Sequence, residues 1–257
     1  EGAVETAQAI ARHYKAGFVL LDAERQIARV VFAQGTADFA QQCGDSLVED
    51  LERRDFRVNA IAYNPHTSEL IDPLGGKADL DEGILRMVSS ENLAEDPLRL
   101  LRAYRQAAQL GFQIEPRTRK VIQRLAPQLK TIAAERVQSE LNYLLSSEKG
   151  TLWLDLARED GLLSHWFPDS QRQGLVAVGA MDDWFKQIKR TQPDLARIIG
   201  SSLRSGKGKT KGEAPASGST RTWLSLAKLV VCCPRTITPP RPSSANSNTA
   251  ATKSKLP

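Results

Sequence analysis

Residues 95–112 read EDPLRLLRAYRQAAQLGF, and at this stretch the chain changes from mixed structure to helix. Asp96 followed by Pro97 is a common helix start, because aspartate caps free amides and proline fits the first turn. Apolar residues then recur at helical spacing until Gly111, a typical helix stop. The pattern predicts a helix over 98–110.

The residues before this stretch alternate between helical and strand patterns. Residues 3–16 carry apolar side chains at helical spacing, and Ser46 with Glu49 three residues later forms a capping box that predicts a second helix. Five short β-rich runs are separated by polar, glycine or proline breaks. They are FVLLD at 18–22, IARVVFA at 27–33, TADFAQ at 36–41, VNAIAYN at 58–64 and ELIDP at 69–73.

The residues after the 98–110 helix predict further helices with short connections, at 117–130, 133–147, 151–163 and 182–190. Strands and helices are segregated rather than alternating, so the fold class is α+β, a small β-sheet part followed by an all-α part. We expect five regions. They are a mixed domain at 1–88, a helical region at 89–150, a second helical region at 151–200, a flexible linker at 201–222, and a short helix with a disordered tail at 223–257.

The chain has 257 residues and a formal net charge of +5, which is unevenly distributed. Residues 201–257 hold ten basic residues and one acidic residue, leaving 25 basic against 29 acidic residues in 1–200. A nucleic-acid function must therefore rest on individual arginines rather than on net charge. The three cysteines and three histidines show no disulfide framework or metal-ligand spacing, and no run of about 18 apolar residues indicates a membrane span.

Three charged or turn-forming clusters are candidates for function. The first, ERRDFRVNA at 52–60, places two arginines beside Asp55, a combination that could bind the phosphate and ribose groups of a nucleotide. The alternative is a solvated helix end in which the arginines pair with the aspartate. IDPLGG at 71–76 predicts a turn and, from its position between the mixed and helical parts, a hinge.

The third cluster lies on the 98–110 helix. Arg99, Arg102 and Arg105 recur every three residues and form a stripe along one side of it. Asp96 precedes the first turn on the side of Arg99. A carboxylate and a guanidinium one turn apart offer an acceptor and donors to a base edge, and a simple helix cap is the alternative for Asp96.

Taken in order, these motifs are more specific than any one of them. The chain carries ERRDFxVNA, then IDPxGG, then EDPLRLLRAxR with LGF, then AERVxxEL at 134–141. This order resembles the class II tRNA nucleotidyltransferase and bacterial poly(A) polymerase family over roughly residues 1–170. The resemblance implies a small β-sheet head of the DNA polymerase β superfamily, followed by helical neck, body and tail regions. It also implies addition of nucleotides to RNA 3′ ends without a nucleic-acid template.

The resemblance assigns roles to residues of these motifs. The nucleotide-binding residues it implies are Arg54 and Asp55 for the triphosphate and ribose, Asp96 and Arg99 for the base edge of CTP or ATP, and Arg102 and Arg105 for phosphates. The other matches are Asp72, Gly75 and Gly76 as a hinge between head and neck, and Glu135, Arg136 and Glu140 as a helix-packing motif. Arg57 departs from the family pattern, which usually has threonine there.

The family's catalytic motif is a Gly-Gly helix followed by an Asp-x-Asp strand that holds two Mg²⁺ ions. By resemblance it would precede the helix that begins near Glu1, so we expect the chain as printed to be inactive alone. The Asp-x-Asp at 79–81 matches a non-catalytic stretch and predicts a solvated helix start. Asp38, in the TADFA run, is a candidate third catalytic carboxylate and metal ligand, with a surface strand position as the alternative.

The function implied is transfer of CMP or AMP from CTP or ATP to an RNA 3′ end, most simply the CCA end of tRNA. The alternatives are a poly(A) polymerase of the same family or a non-catalytic RNA-binding or nucleotide-binding remnant. CCA-, CC-, A- and poly(A)-adding specificities share these motifs, and the sequence does not separate them. The implied partners are the nucleotide and RNA, with Mg²⁺ as cofactor, a cytoplasmic location, no membrane, and an oligomeric state left open.

Overall fold

The computed structural model describes residues 2–147, 149–166 and 172–201, together with positions 222, 224, 225, 227 and 228. The helices among them are α1 Ala3–His13, α2 Leu47–Glu52, α3 Gly76–Glu82, α4 Ser90–Glu95, α5 Leu98–Leu110, α6 Pro116–Leu125, α7 Ala134–Ser146, α8 Gly150–Glu159, α9 Arg172–Thr191 and α10 Pro193–Gly200. The strands are β1 Gly17–Asp22, β2 Ile27–Val31, β3 Thr36–Ala40, β4 Ala62–Asn64, β5 Glu69–Ile71, β6 Ile84–Leu85 and β7 Gln113–Ile114. Two 3-10 helices cover Arg57–Asn59 and Ala126–Thr131.

The first three strands form an antiparallel meander in the order β1-β2-β3, as their short connections predict. Helix α1 packs against this sheet through a small core in which Ala7 and Ala11 meet Ala28 and Val30 of β2. The alanines let the helix approach the sheet closely, and partly buried aromatic side chains close the edges of this core. They are Phe18, Phe32 and Phe39.

Residues 41–88 connect this sheet unit to the helices. The predicted capping box is confirmed, because the Ser46 hydroxyl accepts a hydrogen bond from the Glu49 amide at 3.2 Å and the Glu49 carboxylate accepts one from the Asp45 amide at 2.9 Å. The predicted hairpin is also present as β4 and β5. The strand expected from Val58 is shorter, because a 3-10 helix occupies 57–59 and the strand begins only at Ala62.

Helix α5 has the predicted bounds, and Gly111 ends it with a φ of 73°. Its buried side belongs to a large core that also contains Phe56, Leu85 and Met87. Side chains on both sides of residue 88 therefore share one core, and the domain boundary there remains a prediction. Strand β6 pairs with β7 in parallel and adds backbone hydrogen bonds to this junction.

The remaining helices differ from the sequence pattern in length. The predicted 117–130 helix divides into α6 and a 3-10 helix at the point where Pro127 removes a backbone donor. Helix α9 begins ten residues before the predicted start, and α10 was missed. The predicted disorder of the linker at 201–222 and of the tail within 223–257 remains a prediction, because most of these residues lie outside the described part of the chain. Lys228, within the predicted terminal helix, is buried and donates to the Leu145 carbonyl oxygen at 2.8 Å.

A buried carboxylate joins three of the helices. Asp160, directly after α8, accepts hydrogen bonds from the Tyr104 hydroxyl of α5 at 2.5 Å, from the Arg119 guanidinium of α6 at 2.7 and 2.8 Å, and from the Gln123 amide of α6 at 2.6 Å. Burial acts to raise the pKa of Asp160, but the hydrogen bonds from Arg119, Tyr104 and Gln123 outweigh it and lower the pKa. The folded state therefore favours the ionised form.

We expect Asp160→Asn to lower the free energy of unfolding by about 2–4 kcal/mol at pH 7, because Arg119 loses a bidentate charged partner. Because the folded-state pKa lies below the unfolded value of about 3.9, this stabilisation is present above pH 4 and is lost as pH falls through the folded pKa. Urea denaturation from pH 7 to pH 3 measures both effects. Asp155→Asn is the control, since Asp155 makes only a surface pair with Arg158 and should cost less than about 1 kcal/mol.

Candidate functional site

The turn that follows α2 carries a buried aspartate at the centre of a hydrogen-bond network. One oxygen of Asp55 accepts from the Phe56 amide at 2.9 Å and from the Asn59 side chain at 2.8 Å. The other oxygen accepts from Nε of Arg102 on α5 at 2.9 Å. The Asp55 carbonyl accepts from the Val88 amide at 3.0 Å. Two motifs that lie 47 residues apart in sequence therefore meet at this carboxylate.

Arg102 is held so that part of its guanidinium remains available. Its Nε faces Asp55, its side chain is 37% exposed, and within the described part of the chain its two terminal amino groups have no protein acceptor. A planar donor pair fixed in this way matches two oxygens of a phosphate. This geometry leaves the Arg102 guanidinium oriented by Asp55, and the binding of phosphate by Arg102 remains a prediction.

Two amide side chains, which the sequence patterns did not identify, complete the network. Asn59 bridges Asp55 and Gln106 of α5, with its amide nitrogen 3.0 Å from the Gln106 oxygen. Asn92 of α4 donates to the carbonyl oxygens of Glu52 and Arg54 at 2.7 and 2.8 Å. Asn59 lies inside the quoted VNA motif, but Asn92 has no local sequence signal because its partners are about 40 residues away.

Asp96 directly precedes Pro97 and α5, and Arg99 lies in the first turn of the helix. One Asp96 oxygen accepts from the Leu98 amide at 3.3 Å, a long hydrogen bond that is compatible with the helix-cap alternative. The other accepts from Arg136 of α7 at 2.9 Å. Arg99 donates to the Asn92 carbonyl oxygen at 2.9 Å. Capping therefore uses only one of the two carboxylate oxygens, and the base-reading role remains a prediction that this geometry permits.

The other two predicted arginines have different surroundings. Arg54 is half-exposed and pairs with Asp50 at 3.0 Å, a surface contact that a phosphate could replace. Arg105 is mostly buried, donates to Glu140 of α7 at 2.6 Å and to Gln109 at 2.9 Å, and lies over the Tyr143 ring. In this structure Arg105 connects α5 to α7, and its phosphate role remains a prediction.

The predicted hinge is a tightly hydrogen-bonded turn. Asp72 accepts hydrogen bonds from the Gly76 and Lys77 amides at 2.7 and 2.9 Å and so caps α3. Gly75 has a φ of 70°, and a Cβ added to Gly76 would lie 2.1 Å from the Arg57 carbonyl oxygen. Both glycines are thus required by backbone geometry beside the 52–60 motif, while movement at this turn remains a prediction.

The Asp-x-Asp at 79–81 differs from the expected solvated helix start. Asp81 is exposed and pairs with Lys77 at 2.7 Å, but Asp79 is buried and accepts from Arg86 at 3.0 Å. The expectation was wrong for Asp79, because α3 turns this side chain toward Arg86, which also contacts Glu115 at 3.4 Å. Both carboxylates thus form ion pairs within the fold, and the non-catalytic role of this Asp-x-Asp remains a prediction.

Asp38 lies on β3 opposite Arg29 of β2. Both carboxylate oxygens accept from the Arg29 guanidinium, at 2.5 and 2.7 Å, and this hydrogen bonding lowers the pKa of Asp38. The described residues include no group of three or more His, Cys, Asp or Glu side chains that could hold a metal ion. Residues 2–201, with their gaps at 148 and 167–171, therefore do not fit a two-magnesium site at Asp38, and its metal role remains a prediction without structural support.

Two family models match the chain, one before and one after the segment that contains Asp96 and Arg99. Residues 3–86 match the model described as the poly A polymerase head domain, and residues 111–173 match the probable RNA and SrmB-binding site of polymerase A. The chain belongs to the tRNA nucleotidyltransferase and poly(A) polymerase family. The predicted family and fold class are thereby confirmed.

The relatives of this chain include two curated CC-adding enzymes. It is 61% identical over 188 residues to the CC-adding tRNA nucleotidyltransferase of Synechocystis sp., covering 73% of this chain and 45% of the relative. It is 42% identical over 183 residues to that of Geobacter sulfurreducens, covering 70% of this chain and 43% of the relative. The chain thus spans less than half the length of these relatives.

A solved structure of a tRNA-processing enzyme with CTP shares the fold. It is 27% identical to this chain and has a TM-score of 0.64, and the match covers 76% of this chain and 57% of that one. No helix in the described part of the chain is long and apolar enough to cross a membrane.

We expect Gly76→Ala to destabilise the fold by about 1–3 kcal/mol, because the new Cβ meets backbone that must move. Gly35→Ala is the matched control, since a Cβ there has no neighbour within 4 Å and should change stability by less than about 0.5 kcal/mol. Urea denaturation of both variants measures the difference. Equal stabilities of the two variants would show that the backbone next to Gly76 moves away from the new Cβ at no cost in stability.

Proposed function

We propose that this chain carries the nucleotide-selecting part of a tRNA nucleotidyltransferase that adds CMP to tRNA 3′ ends. One observation carries the proposal: the buried Asp55–Arg102 contact joins the 52–60 motif to the helix that presents Asp96 and Arg99. The 61% identity to a CC-adding enzyme supports cytidine as the base. A cytoplasmic location, implied by the resemblance, remains a prediction.

The base-reading chemistry follows from the side chains at the start of α5. Cytosine presents an amino donor beside ring acceptors, and adenine does the same on its pairing edge. A carboxylate accepts from the amino group and a guanidinium donates to the acceptors, so Asp96 and Arg99 suit both bases. Uracil and guanine present a carbonyl where the amino group would be, and this carbonyl would face the Asp96 carboxylate.

The phosphate-binding chemistry uses the arginines around Asp55. Arg54 and Arg102 would bind the triphosphate, and Asp55, while orienting Arg102, retains acceptor capacity for a ribose hydroxyl. In the proposed reaction the RNA 3′-hydroxyl oxygen bonds to the α-phosphorus as the bond to the bridging α,β oxygen breaks, releasing pyrophosphate. The arginines stabilise the charge that develops on the phosphates. Mg²⁺ dependence is part of the proposal, with no ligand set assigned among the described residues.

Neighbouring arginines allow a matched test of nucleotide binding. Arg53 and Arg54 are both half-exposed and each makes one surface ion pair, with Glu95 and Asp50 respectively. We expect Arg54→Gln to weaken CTP binding roughly tenfold, the effect of losing one charged hydrogen bond, and Arg53→Gln to change it less than about twofold. Calorimetric titration of the full chain with CTP measures both. Equal losses would contradict the assigned role of Arg54.

Replacement of Asp96 tests base selection. Asp96→Asn keeps the capping oxygen and replaces the other acceptor by a donor, which gives up the half-exposed ion pair with Arg136, so stability should change by about 1 kcal/mol or less. The ratio of CTP affinity to UTP affinity should fall roughly tenfold or more, because the amide can donate to a carbonyl. Glu95→Gln, at the adjacent surface carboxylate, should leave the ratio unchanged. Competition binding with the four nucleotides measures this ratio. An unaltered ratio for Asp96→Asn would show that Asp96 acts only as a helix cap.

A further inference from the structure

Helix α6 carries a stripe of three exposed cations on its solvent-facing side. Arg117, Lys120 and Arg124 follow one another at spacings of three and four residues, which places them within about 60° of arc around the helix axis. The opposite side of α6 is buried in the core. Its buried residues are Thr118, Ile122 and Leu125.

These three cations differ from Arg119, the fourth basic residue of α6. Arg119 is neutralised by its bidentate contact with Asp160. In contrast, no ion pair or hydrogen bond involves the side chains of Arg117, Lys120 or Arg124 among the described residues. The stripe thus presents three positive charges that make no direct contact with an acceptor among the described residues. From Arg117 to Arg124 these charges span about 10 Å along the helix axis, a length over which a nucleic-acid strand presents more than one phosphate.

The stripe is adjacent to the proposed nucleotide site. Helix α6 packs against α4, and α4 leads directly to Asp96. Glu91, in the first turn of α4, has its pKa lowered mainly by hydrogen bonding from its own amide and Ser90, with a smaller contribution from the charge of Arg124. Five helical residues, or about 8 Å, separate Glu91 from Asp96. RNA that reaches the base-reading pair would therefore pass within a few phosphates of the stripe.

We propose that Arg117, Lys120 and Arg124 bind backbone phosphates of the RNA strand whose 3′ end receives the nucleotide. This inference rests on the proposed function and specifies where the RNA runs. Phosphate contacts fix the position of a strand without reading its sequence, as an enzyme acting on many tRNAs requires. The family model over 111–173 concerns probable RNA binding across the whole segment, and the stripe assigns that property to three side chains.

The test compares two triple variants of the full chain with equal loss of charge. Arg117→Gln, Lys120→Gln and Arg124→Gln together remove the stripe. Arg12→Gln, Lys15→Gln and Arg25→Gln together remove three exposed cations of the α1 and β1–β2 region, which likewise make no ion pair among the described residues. Fluorescence anisotropy with a labelled tRNA lacking its CCA end, at 50–300 mM salt, gives the affinity and its salt dependence.

We expect the stripe variant to lose roughly tenfold or more in tRNA affinity at 0.1 M salt, with the slope of log affinity against log salt reduced by about 2–3. The control variant should differ from the unaltered chain by less than about threefold. CTP affinity should be the same in all three proteins. Each variant should unfold at the same temperature as the unaltered chain, because all six side chains are exposed.

Three results would overturn the proposal. Equal losses of tRNA affinity in the two triple variants would indicate a general effect of net charge. Full tRNA affinity in the stripe variant would show that the stripe does not bind this RNA. A loss of CTP affinity in the stripe variant would place these residues in the nucleotide site instead. Failure of the proposed function would be seen in a different measurement, because the unaltered chain would then not bind CTP or would bind it equally well after Arg54→Gln.

Discussion

The contact between Asp55 and Arg102 is the constraint on which this site depends. A buried carboxylate is costly unless its oxygens are satisfied, and here three donors from two distant segments satisfy it. The same contact fixes the position of the Arg102 guanidinium and fastens the turn after α2 to the middle of α5. One electrostatic interaction therefore stabilises the junction and orients the guanidinium that we propose binds phosphate.

The surrounding contacts limit how far this junction can move. Asn92 holds the 52–54 backbone against α4, and Arg136 connects Asp96 to α7. Asp160 then joins α5, α6 and α8 from the other side of the core. The base-reading role that we propose for Asp96 and Arg99 needs this rigidity, since a carboxylate that rotates freely cannot distinguish an amino group from a carbonyl.

The arginines along α5 show how one periodic stripe divides into separate tasks. Arg99 and Arg102 face the junction with the 52–60 motif, whereas Arg105 turns to Glu140 and Tyr143 on α7. A spacing of three residues drifts around the helix by about 60° per step, or about 120° over two steps, so the third arginine meets a different neighbour. The charge of each arginine is the same, but the neighbouring helix decides what it binds.

The sequence by itself determined the elements whose signals are local. The bounds of α5, the Ser46 capping box, the β1-β2-β3 meander and the 62–71 hairpin follow from apolar spacing, caps and turn residues within a few positions of one another. The order of the motifs also determined the family. These features were predictable because short-range backbone chemistry specifies them.

Only the tertiary structure decided the partners. No sequence pattern indicates that Asp79 is buried against Arg86, that Asp38 is paired with Arg29, or that Asn92 supports the Arg54 turn. The core likewise continues across residue 88, because Phe56 packs with the helices rather than with the sheet. Each of these outcomes depends on contacts between side chains that are tens of residues apart in the sequence. Charge pairing and burial are decided by those contacts, which form only when the chain has folded.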